Sequence, residues 1–297
     1  MKKPRVIAVL PTLLTLANAA CGFAAVTVAA KVQAVGLGEL GLDAADDAAG
    51  RHLFVAAGLI FLAMIFDAFD GSAARLLGQS SELGAQLDSL CDALSFGVAP
   101  AFLMLQLANH TFAGQADLAW AWPGRILWGC AVLFVLCTIL RLARFNVETD
   151  EEDDHAFFRG LPSPAAAAVV ASVPLVMNAL RDLSTGDRGW SPWADDIAAW
   201  LIVAVKLGLP VVTLAAAGLM VSAVRYPHVV NQAVRGKRSP WFVVKVVFAG
   251  VAAVVFRELA IPLIALWFAF SHPIRAAAGR GTAAIRTPHD GAVSDAA

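Results

Sequence analysis

Charged residues are scarce in this sequence, and their scarcity excludes an ordinary water-soluble domain. Only 15% of the 297 residues are charged, whereas 59% are hydrophobic. Soluble domains usually carry about 25% charged and 45–50% apolar residues. The composition, with a mean hydropathy of +0.70, therefore indicates a membrane protein in contact with a lipid bilayer. A net charge of -1 provides no basic field, so we expect no nucleic-acid partner.

Cysteine is also rare, and its placement excludes two kinds of site. The four cysteines lie inside apolar runs, at Cys21, Cys91, Cys130 and Cys137. None of them has the paired spacing of a zinc site or of a redox motif. We interpret them as small, buried apolar residues.

Long apolar runs, by contrast, fill most of the chain. A membrane-spanning helix needs ~20 mostly apolar residues. Candidate spans are 7–31, 52–74, 83–108, 126–147, 163–181, 197–223, 241–256 and 259–273. The first six are long enough to span; the last two form either a hairpin or one bent element, and Pro262 favours a break there. We predict an all-α polytopic transmembrane bundle with a six-helix core and two additional C-terminal helices.

The placement of lysine and arginine predicts the topology. With the N-terminus in the cytoplasm, most of these residues fall in cytoplasmic segments, as the positive-inside rule requires. We therefore expect an integral protein of the cell (inner) membrane, with its N-terminus and active site facing the cytoplasm. Residues 1–275 form the predicted transmembrane domain. Residues 276–297, rich in Ala, Gly, Arg and Thr, are predicted to be a disordered cytoplasmic tail.

Four aspartates stand at the facing ends of spans two and three. Asp67 and Asp70 are spaced i, i+3, and Asp88 and Asp92 are spaced i, i+4, so each pair shares one helical face. An aspartate at the centre of a membrane helix costs about +2.5 to +3.5 kcal/mol. Four that converge would also repel one another unless cations lie among them. The pattern predicts an all-oxygen site for Mg²⁺ or Mn²⁺, suited to gripping a pyrophosphate.

Small residues and an arginine accompany the aspartates. Gly71 and Gly84 lack side chains where a bulky ligand would approach the backbone, and Ala74 has only a methyl group on the same surface. Arg75 can meet a phosphate with a planar fork of donors. Either glycine, taken alone, is equally well explained by close packing of membrane helices.

A cation-coupled transporter is an alternative function of another class, because such transporters also have membrane-embedded acids. The two halves of this chain, however, show no convincing repeat.

The whole pattern resembles the signature of the CDP-alcohol phosphotransferases. The match covers all eight fixed positions, in the order Asp67-x2-Asp70-Gly71-x2-Ala74-Arg75-x8-Gly84-x3-Asp88-x3-Asp92. The resemblance implies a six-helix core around a polar, cytoplasm-facing cavity, usually in a homodimer. It also implies cleavage of a CDP-linked lipid, transfer of the phosphatidyl group to an alcohol, and release of CMP.

The resemblance assigns roles to individual residues. It implies that Asp67, Asp70 and Asp88 hold the metals, and that Asp92 approaches the second metal and acts as the base for the attacking hydroxyl. It also implies that the positions lining the CDP-lipid pocket are Gly71, Ala74, Arg75 and Gly84.

Three further segments bear on the alcohol. Residues 10–23, 141–146 and 158–164 resemble the bacterial and archaeal phosphatidylserine synthases of this family. The implied substrates are CDP-diacylglycerol and L-serine. Thr12 departs from the pattern, because many such enzymes carry asparagine after the proline. Sister enzymes that use glycerol phosphate or inositol phosphate remain an alternative.

Five residues are candidates for binding serine or a phosphate. Arg141 and Arg144 are spaced i, i+3 at one helix end, with Asn146 beside them. Both arginines are also explained as charges that set the topology. Thr15 and Asn18, within span one, either point into the cavity or make an ordinary interhelical hydrogen bond.

Overall fold

The described residues of the chain fold almost entirely into helices. The computed structural model describes residues 5–35, 42–77, 82–112, 122–148, 157–184, 192–227 and 260–284. The helices are α1 (Arg5–Val35), α2 (Leu42–Leu77), α3 (Glu82–Asp92), α4 (Ala99–Phe112), α5 (Trp122–Glu148), α6 (Ser163–Ser184), α7 (Pro192–Val221) and α8 (Ala260–Ala284). A π-helical turn, Ala93–Val98, joins α3 to α4, so these three elements form one continuous helical segment.

Six helical segments of the described chain are long and apolar enough to cross a membrane. They are Leu10–Gln33, Asp47–Gly71, Glu82–His110, Gly124–Val147, Ser163–Arg181 and Trp200–Val221. These segments coincide with the first six predicted spans, so the predicted all-α transmembrane core is confirmed. Helix α8 overlaps the last predicted span through a shorter apolar stretch, Ala260–Ser271. The predicted span 241–256 lies outside the described residues.

Helix α8 also runs past the predicted boundary at residue 275. It continues through Ala284, where a disordered tail was expected from residue 276 onward. The run of alanines at 276–278 explains the extension, because alanine has the highest intrinsic helix propensity. Residues 285–297 are not among those the structure describes.

Small residues bring the first two helices together. Helices α1 and α2 share an extensive contact. Their buried alanines include Ala25 and Ala29 on α1 and Ala56 and Ala63 on α2. Without bulky side chains, membrane helices can approach closely and gain van der Waals contact. The close packing of α1 against α2 matters below, because both helices contribute to the acidic site.

Two short strands add a feature that was not predicted. Residues Phe157–Arg159 (β1) pair antiparallel with Arg225–Pro227 (β2). Tyr226 in β2 is fully buried, and its hydroxyl donates to the Ala269 carbonyl at 2.9 Å. Burial raises the pKa of Tyr226 to about 12, so the hydroxyl stays a donor. Strand β2 is thereby tied to α8.

Gly160 makes the turn between β1 and α6 possible. Its φ is +82°, a left-handed conformation that glycine adopts without strain. A Cβ atom there would lie 3.1 Å from the carbonyl carbon of Met220, so there is no room for a side chain. The Gly160 N–H donates to the Val224 carbonyl at 2.8 Å. Helix α6 begins at Ser163, the first residue of the fifth predicted span.

Candidate active site

Three of the four aspartates meet at one end of the bundle. Asp67 and Asp70 lie on the C-terminal part of α2, and Asp88 lies on α3. One carboxylate oxygen from each lies within 4.8 Å of the other two. The predicted convergence of the two helix ends is therefore confirmed for this trio, which we call the aspartate cluster.

Asp92 adjoins the aspartate cluster from the next turn of α3. Its carboxyl group lies within hydrogen-bonding reach of that of Asp67. Its Oδ1 accepts a hydrogen bond from Asn18 Nδ2 at 3.0 Å. Only 7% of Asp92 is exposed, so its position is set by protein contacts. The geometry leaves Asp92 beside the trio and oriented by α1.

The donor set fits a hard divalent cation. Asp70 Oδ2 and Asp88 Oδ1 are buried and have no hydrogen-bond partner within the described chain. Buried polar atoms are normally satisfied, and carboxylates this close repel one another. Mg²⁺ and Mn²⁺ prefer oxygen ligands and would remove both penalties. Asp67, Asp70 and Asp88 are the residues that would hold such an ion.

Helix α1 supports both pairs of acids. Asn18 is fully buried, and Thr15 is 6% exposed. The Thr15 hydroxyl lies 3.0 Å from the Pro11 carbonyl and within hydrogen-bonding reach of the Asp70 carboxyl group. Asn18 Oδ1 has no partner among the described groups, although its amide nitrogen donates to Asp92. The two candidates on α1 therefore adjoin the acidic site.

A close helix contact fixes Asn18 in place. The Ser95 hydroxyl, in the π-helical turn, donates to the Asn18 backbone carbonyl at 3.0 Å. A Cβ atom on Gly22 would lie 2.8 Å from Ser95 Cα, so only glycine permits this approach. Sequence reasoning missed Ser95. The available signal was its position three residues after Asp92 and seven after Asp88, which continues the same helical face.

The two candidate arginines have different surroundings. Arg141 is half-buried, and its Nη1 donates to Ser163 Oγ at 2.9 Å. Its positive charge interacts favourably with the carboxylates of Asp92 and Asp67. The Arg144 side chain is exposed. The structure thus brings Arg141 to the acidic site and places Arg144 on the outside of α5.

Asn146 links α5 to α3. Its Nδ2 donates to Ser89 Oγ at 2.9 Å. Ser89 lies between Asp88 and Asp92 in the chain, so this bond anchors the acidic helix against α5. Sequence reasoning did not identify Ser89, because a serine on an exposed-looking helix turn carries no pattern of its own.

The predicted CDP-lipid positions are only partly described. Gly71 and Gly84 are both half-buried, at the end of α2 and the start of α3 respectively. The Gly71 backbone N–H interacts with the Asp70 carboxyl group. Ala74 and Arg75 lie in the last turn of α2, and their side chains are outside the described part of the structure.

One protein-family model matches most of the chain. The family is CDP-alcohol phosphatidyltransferase, and the match covers residues 8–211. This range begins in α1, includes the aspartate cluster and Asp92, and ends in α7.

Curated proteins with similar sequences carry related names. A CDP-diacylglycerol–serine O-phosphatidyltransferase of Helicobacter pylori is 32% identical over 189 residues, which is 64% of this chain and 67% of that protein. An archaetidylserine synthase of Methanothermobacter thermautotrophicus is 32% identical over 222 residues, or 74% of this chain and 70% of that protein. A CDP-diacylglycerol–serine O-phosphatidyltransferase of Methanocaldococcus jannaschii is 33% identical over 174 residues, covering 59% and 64% of the two chains.

Proposed function

This chain belongs to the CDP-alcohol phosphatidyltransferase family, and from that premise we propose that it transfers the phosphatidyl group of CDP-diacylglycerol to L-serine, releasing CMP. The observation that carries the proposal is the aspartate cluster beside Asp92. One carboxylate oxygen from each of its three residues lies within 4.8 Å of the other two. The names of the similar serine-using enzymes support the acceptor.

The transfer is a substitution at phosphorus. The serine hydroxyl oxygen attacks the phosphorus that carries the diacylglycerol, and a new P–O bond forms. The P–O bond to CMP breaks, and CMP leaves with the electron pair. Asp92 accepts the hydroxyl proton as the oxygen attacks, since a hydroxyl is a weak nucleophile until a positioned base removes its proton. The bond from Asn18 holds the carboxylate of Asp92 in one orientation.

A metal bound at the aspartate cluster would neutralise negative charge. A divalent ion held by Asp67, Asp70 and Asp88, with Asp92 adjoining, would orient the diphosphate and make CMP a better leaving group. Thr15 contacts Asp70 from α1, and the Gly71 N–H contacts the same carboxyl group.

The substrate contacts follow from the surroundings of the acids. We assign Gly71, Ala74, Arg75 and Gly84 to the CDP-lipid, because they flank the aspartate cluster on α2 and α3. Arg141 is half-buried near Asp92, and its guanidinium provides the cation that binds the serine carboxylate.

The polar groups around Arg141 complete the acceptor site. Asn146, Ser89 and Ser163 supply neutral polar groups on the same side of the site. Arg144 is exposed, and we assign it to the membrane interface.

The protein is an integral membrane transferase, and we also propose its orientation in the membrane. The distribution of lysine and arginine supports a cytoplasmic N-terminus and a cytoplasm-facing active site in the inner membrane. We also propose that the protein forms a homodimer. Reporter fusions to the ends of α1 and α4 would test the orientation, and an active site on the opposite face would overturn it.

One assay tests the acceptor. Purified protein is given CDP-diacylglycerol, Mg²⁺ or Mn²⁺, and in turn serine, glycerol phosphate or inositol phosphate, and CMP release is measured. We expect release with serine. Release with a phosphorylated alcohol but not with serine would identify a sister enzyme instead. No release with any alcohol, together with cation flux in vesicles, would favour the transporter that the family match argues against.

The arginine pair offers a matched test of serine binding. Arg141→Gln should raise the KM for serine about tenfold or more, because a charge-assisted hydrogen bond of ~1.5–3 kcal/mol is lost. Arg144→Gln removes the same charge from the same helix and should leave the KM for serine near the unaltered value. Equal effects of the two substitutions would show that they act only through the interfacial charge.

A further inference from the structure

The segment before α6 is held by a part of the chain beyond the region that matches the family. Strand β2 and helix α8 both follow the matched residues 8–211. Strand β1 precedes α6, and its Phe158 is the register partner of Tyr226 in β2. The Tyr226 hydroxyl in turn donates to the Ala269 carbonyl of α8. We call β1, β2 and the bond from Tyr226 to α8 the clasp.

The clasp is a buried and specific contact. Tyr226 and Leu161 are both fully buried. The centroid of the Tyr226 ring lies 5.9 Å from that of Phe268, the residue before Ala269 on α8. Helix α8 also packs directly on α6. A buried hydroxyl without an acceptor is costly, so the bond to Ala269 stabilises one position of β2 against α8.

Backbone hydrogen bonds carry this position to the start of α6. The Gly160 N–H donates to the Val224 carbonyl at 2.8 Å. The Leu161 N–H donates to the Leu219 carbonyl at 3.0 Å. Helix α6 begins two residues after Leu161, at Ser163. The place of Ser163 is therefore set by β2 and the end of α7, and through β2 by α8.

Ser163 links the clasp to the acidic site. It is fully buried, and its Oγ accepts a hydrogen bond from Arg141 Nη1 at 2.9 Å. The positive charge of Arg141 interacts favourably with Asp92 and Asp67. An arginine side chain has many rotamers, and a fixed acceptor restricts it to those that keep the guanidinium beside the acids. A displaced Ser163 would remove this restriction.

We propose that the clasp is a positioning device for the acceptor alcohol, in which Tyr226 and Ser163 act through Arg141 and set how well serine binds. The inference rests on the proposed function, in which Arg141 binds the serine carboxylate. Tyr226 and Ser163 are positioning residues. Loss of either hydroxyl should raise the KM for serine, with kcat and the KM for CDP-diacylglycerol nearly unchanged. A general loss of structure would instead change all three constants.

A double-mutant cycle tests the route from Ser163 to Arg141. Ser163→Ala should raise the KM for serine about tenfold, the loss of one hydrogen bond to a charged group. Because Ser163 acts through Arg141, the double variant with Arg141→Gln should have the same KM for serine as Arg141→Gln alone. Ser172→Ala is the matched control, since Ser172 is a buried serine of the same helix whose hydroxyl donates to the Val169 carbonyl.

Tyr226→Phe tests the clasp itself, with one measurement that needs no substrate. The substitution removes the hydroxyl and keeps the ring. Hydrogen–deuterium exchange of residues 157–161 should rise about fivefold, the loss of one neutral hydrogen bond, and the KM for serine should rise about threefold. Thr213→Val is the control, because Thr213 is buried on α7 and its hydroxyl donates to the Leu209 carbonyl of its own helix.

The proposed function and this inference fail in different proteins. Absence of serine-dependent CMP release by the unaltered protein would overturn the proposed function and, with it, the part of the clasp in serine binding. With an active unaltered protein, multiplying effects of Ser163→Ala and Arg141→Gln would overturn the inference alone. Unchanged exchange and KM in Tyr226→Phe, or an equal rise in KM with Ser172→Ala, would do the same.

Discussion

The two ends of the bundle gather charges of opposite sign in different ways. At one end, carboxylate oxygens of Asp67, Asp70 and Asp88 lie within 4.8 Å of one another. At the other, Arg181 and Lys206 lie beside one another on α6 and α7, along a narrow cleft that also borders α2 and α4. Along α2 the two ends are about 25–30 Å apart, from the rise of 1.5 Å per residue between Gly50 and the two aspartates.

Side-chain length explains the difference. An aspartate carboxyl group sits two bonds from its backbone, so three of them meet only where the helices themselves are accurately placed. Arginine and lysine have long, flexible side chains that reach across several ångströms. Their charged groups can therefore come together without accurate placement of the helices, as where the Arg181 guanidinium lies against Gly50. The short acids are therefore backed by neutral groups from α1, namely Asn18 and Thr15. The acidic end therefore depends on accurate helix placement, whereas the basic end depends on the reach of long side chains.

Removal of metal should have the largest effect, and it acts on the acidic end. Dialysis against a chelator is expected to reduce CMP release to background, since the carboxylates then lack their neutralising ion. Added Mg²⁺ or Mn²⁺ should restore it. Full CMP release after chelation would contradict the assignment of Asp67, Asp70 and Asp88.

Asp92→Asn tests the base. The substitution keeps the shape but removes proton-accepting capacity, so kcat should fall about 10²- to 10⁴-fold, the range of general-base catalysis. Equilibrium binding of CDP-diacylglycerol should persist. Asp196→Asn is the control, because Asp196 is exposed on α7. Turnover close to that of the unaltered protein would remove Asp92 from the mechanism.

Asn18→Ala tests whether α1 positions the base. Loss of the charge-assisted bond to Asp92 should lower kcat about 10- to 100-fold, with a much smaller change in the KM for the CDP-lipid. Thr27→Ala removes a polar group from an exposed position of the same helix and should have little effect. A parallel loss in kcat and in binding would indicate a structural role for Asn18 instead.

Gly22→Ala tests the close contact behind Asn18. The added methyl group would meet Ser95 Cα at 2.8 Å, so α1 must move away from the π-helical turn. We expect a loss of about 1–3 kcal/mol in stability, typical of overpacking, seen as a lower unfolding temperature. Gly58→Ala, with nothing within 4 Å of its added atom, should show no loss. Equal unfolding temperatures would show that the contact is adaptable.

The acidic end was predictable because its signal is local. The spacing of Asp67 with Asp70, and of Asp88 with Asp92, sets a common helical face before any tertiary contact is known. The convergence of the pairs then follows from a short connection between antiparallel helices. Ser95, Ser89 and the β1–β2 pair were not predictable in this way. A lone serine has no period, and three-residue strands are too short to show one.

Residue content and spacing were enough to predict a membrane-spanning helical protein in which aspartates from two helices come together, because hydropathy and helical period are properties of neighbouring residues. Packing alone established that Asn18 holds Asp92, that Arg141 lies near the acids, and that Arg181 lies across Gly50. Each of these contacts joins residues far apart in the chain. Their partners depend on how the helices are rotated against one another, which no local pattern records.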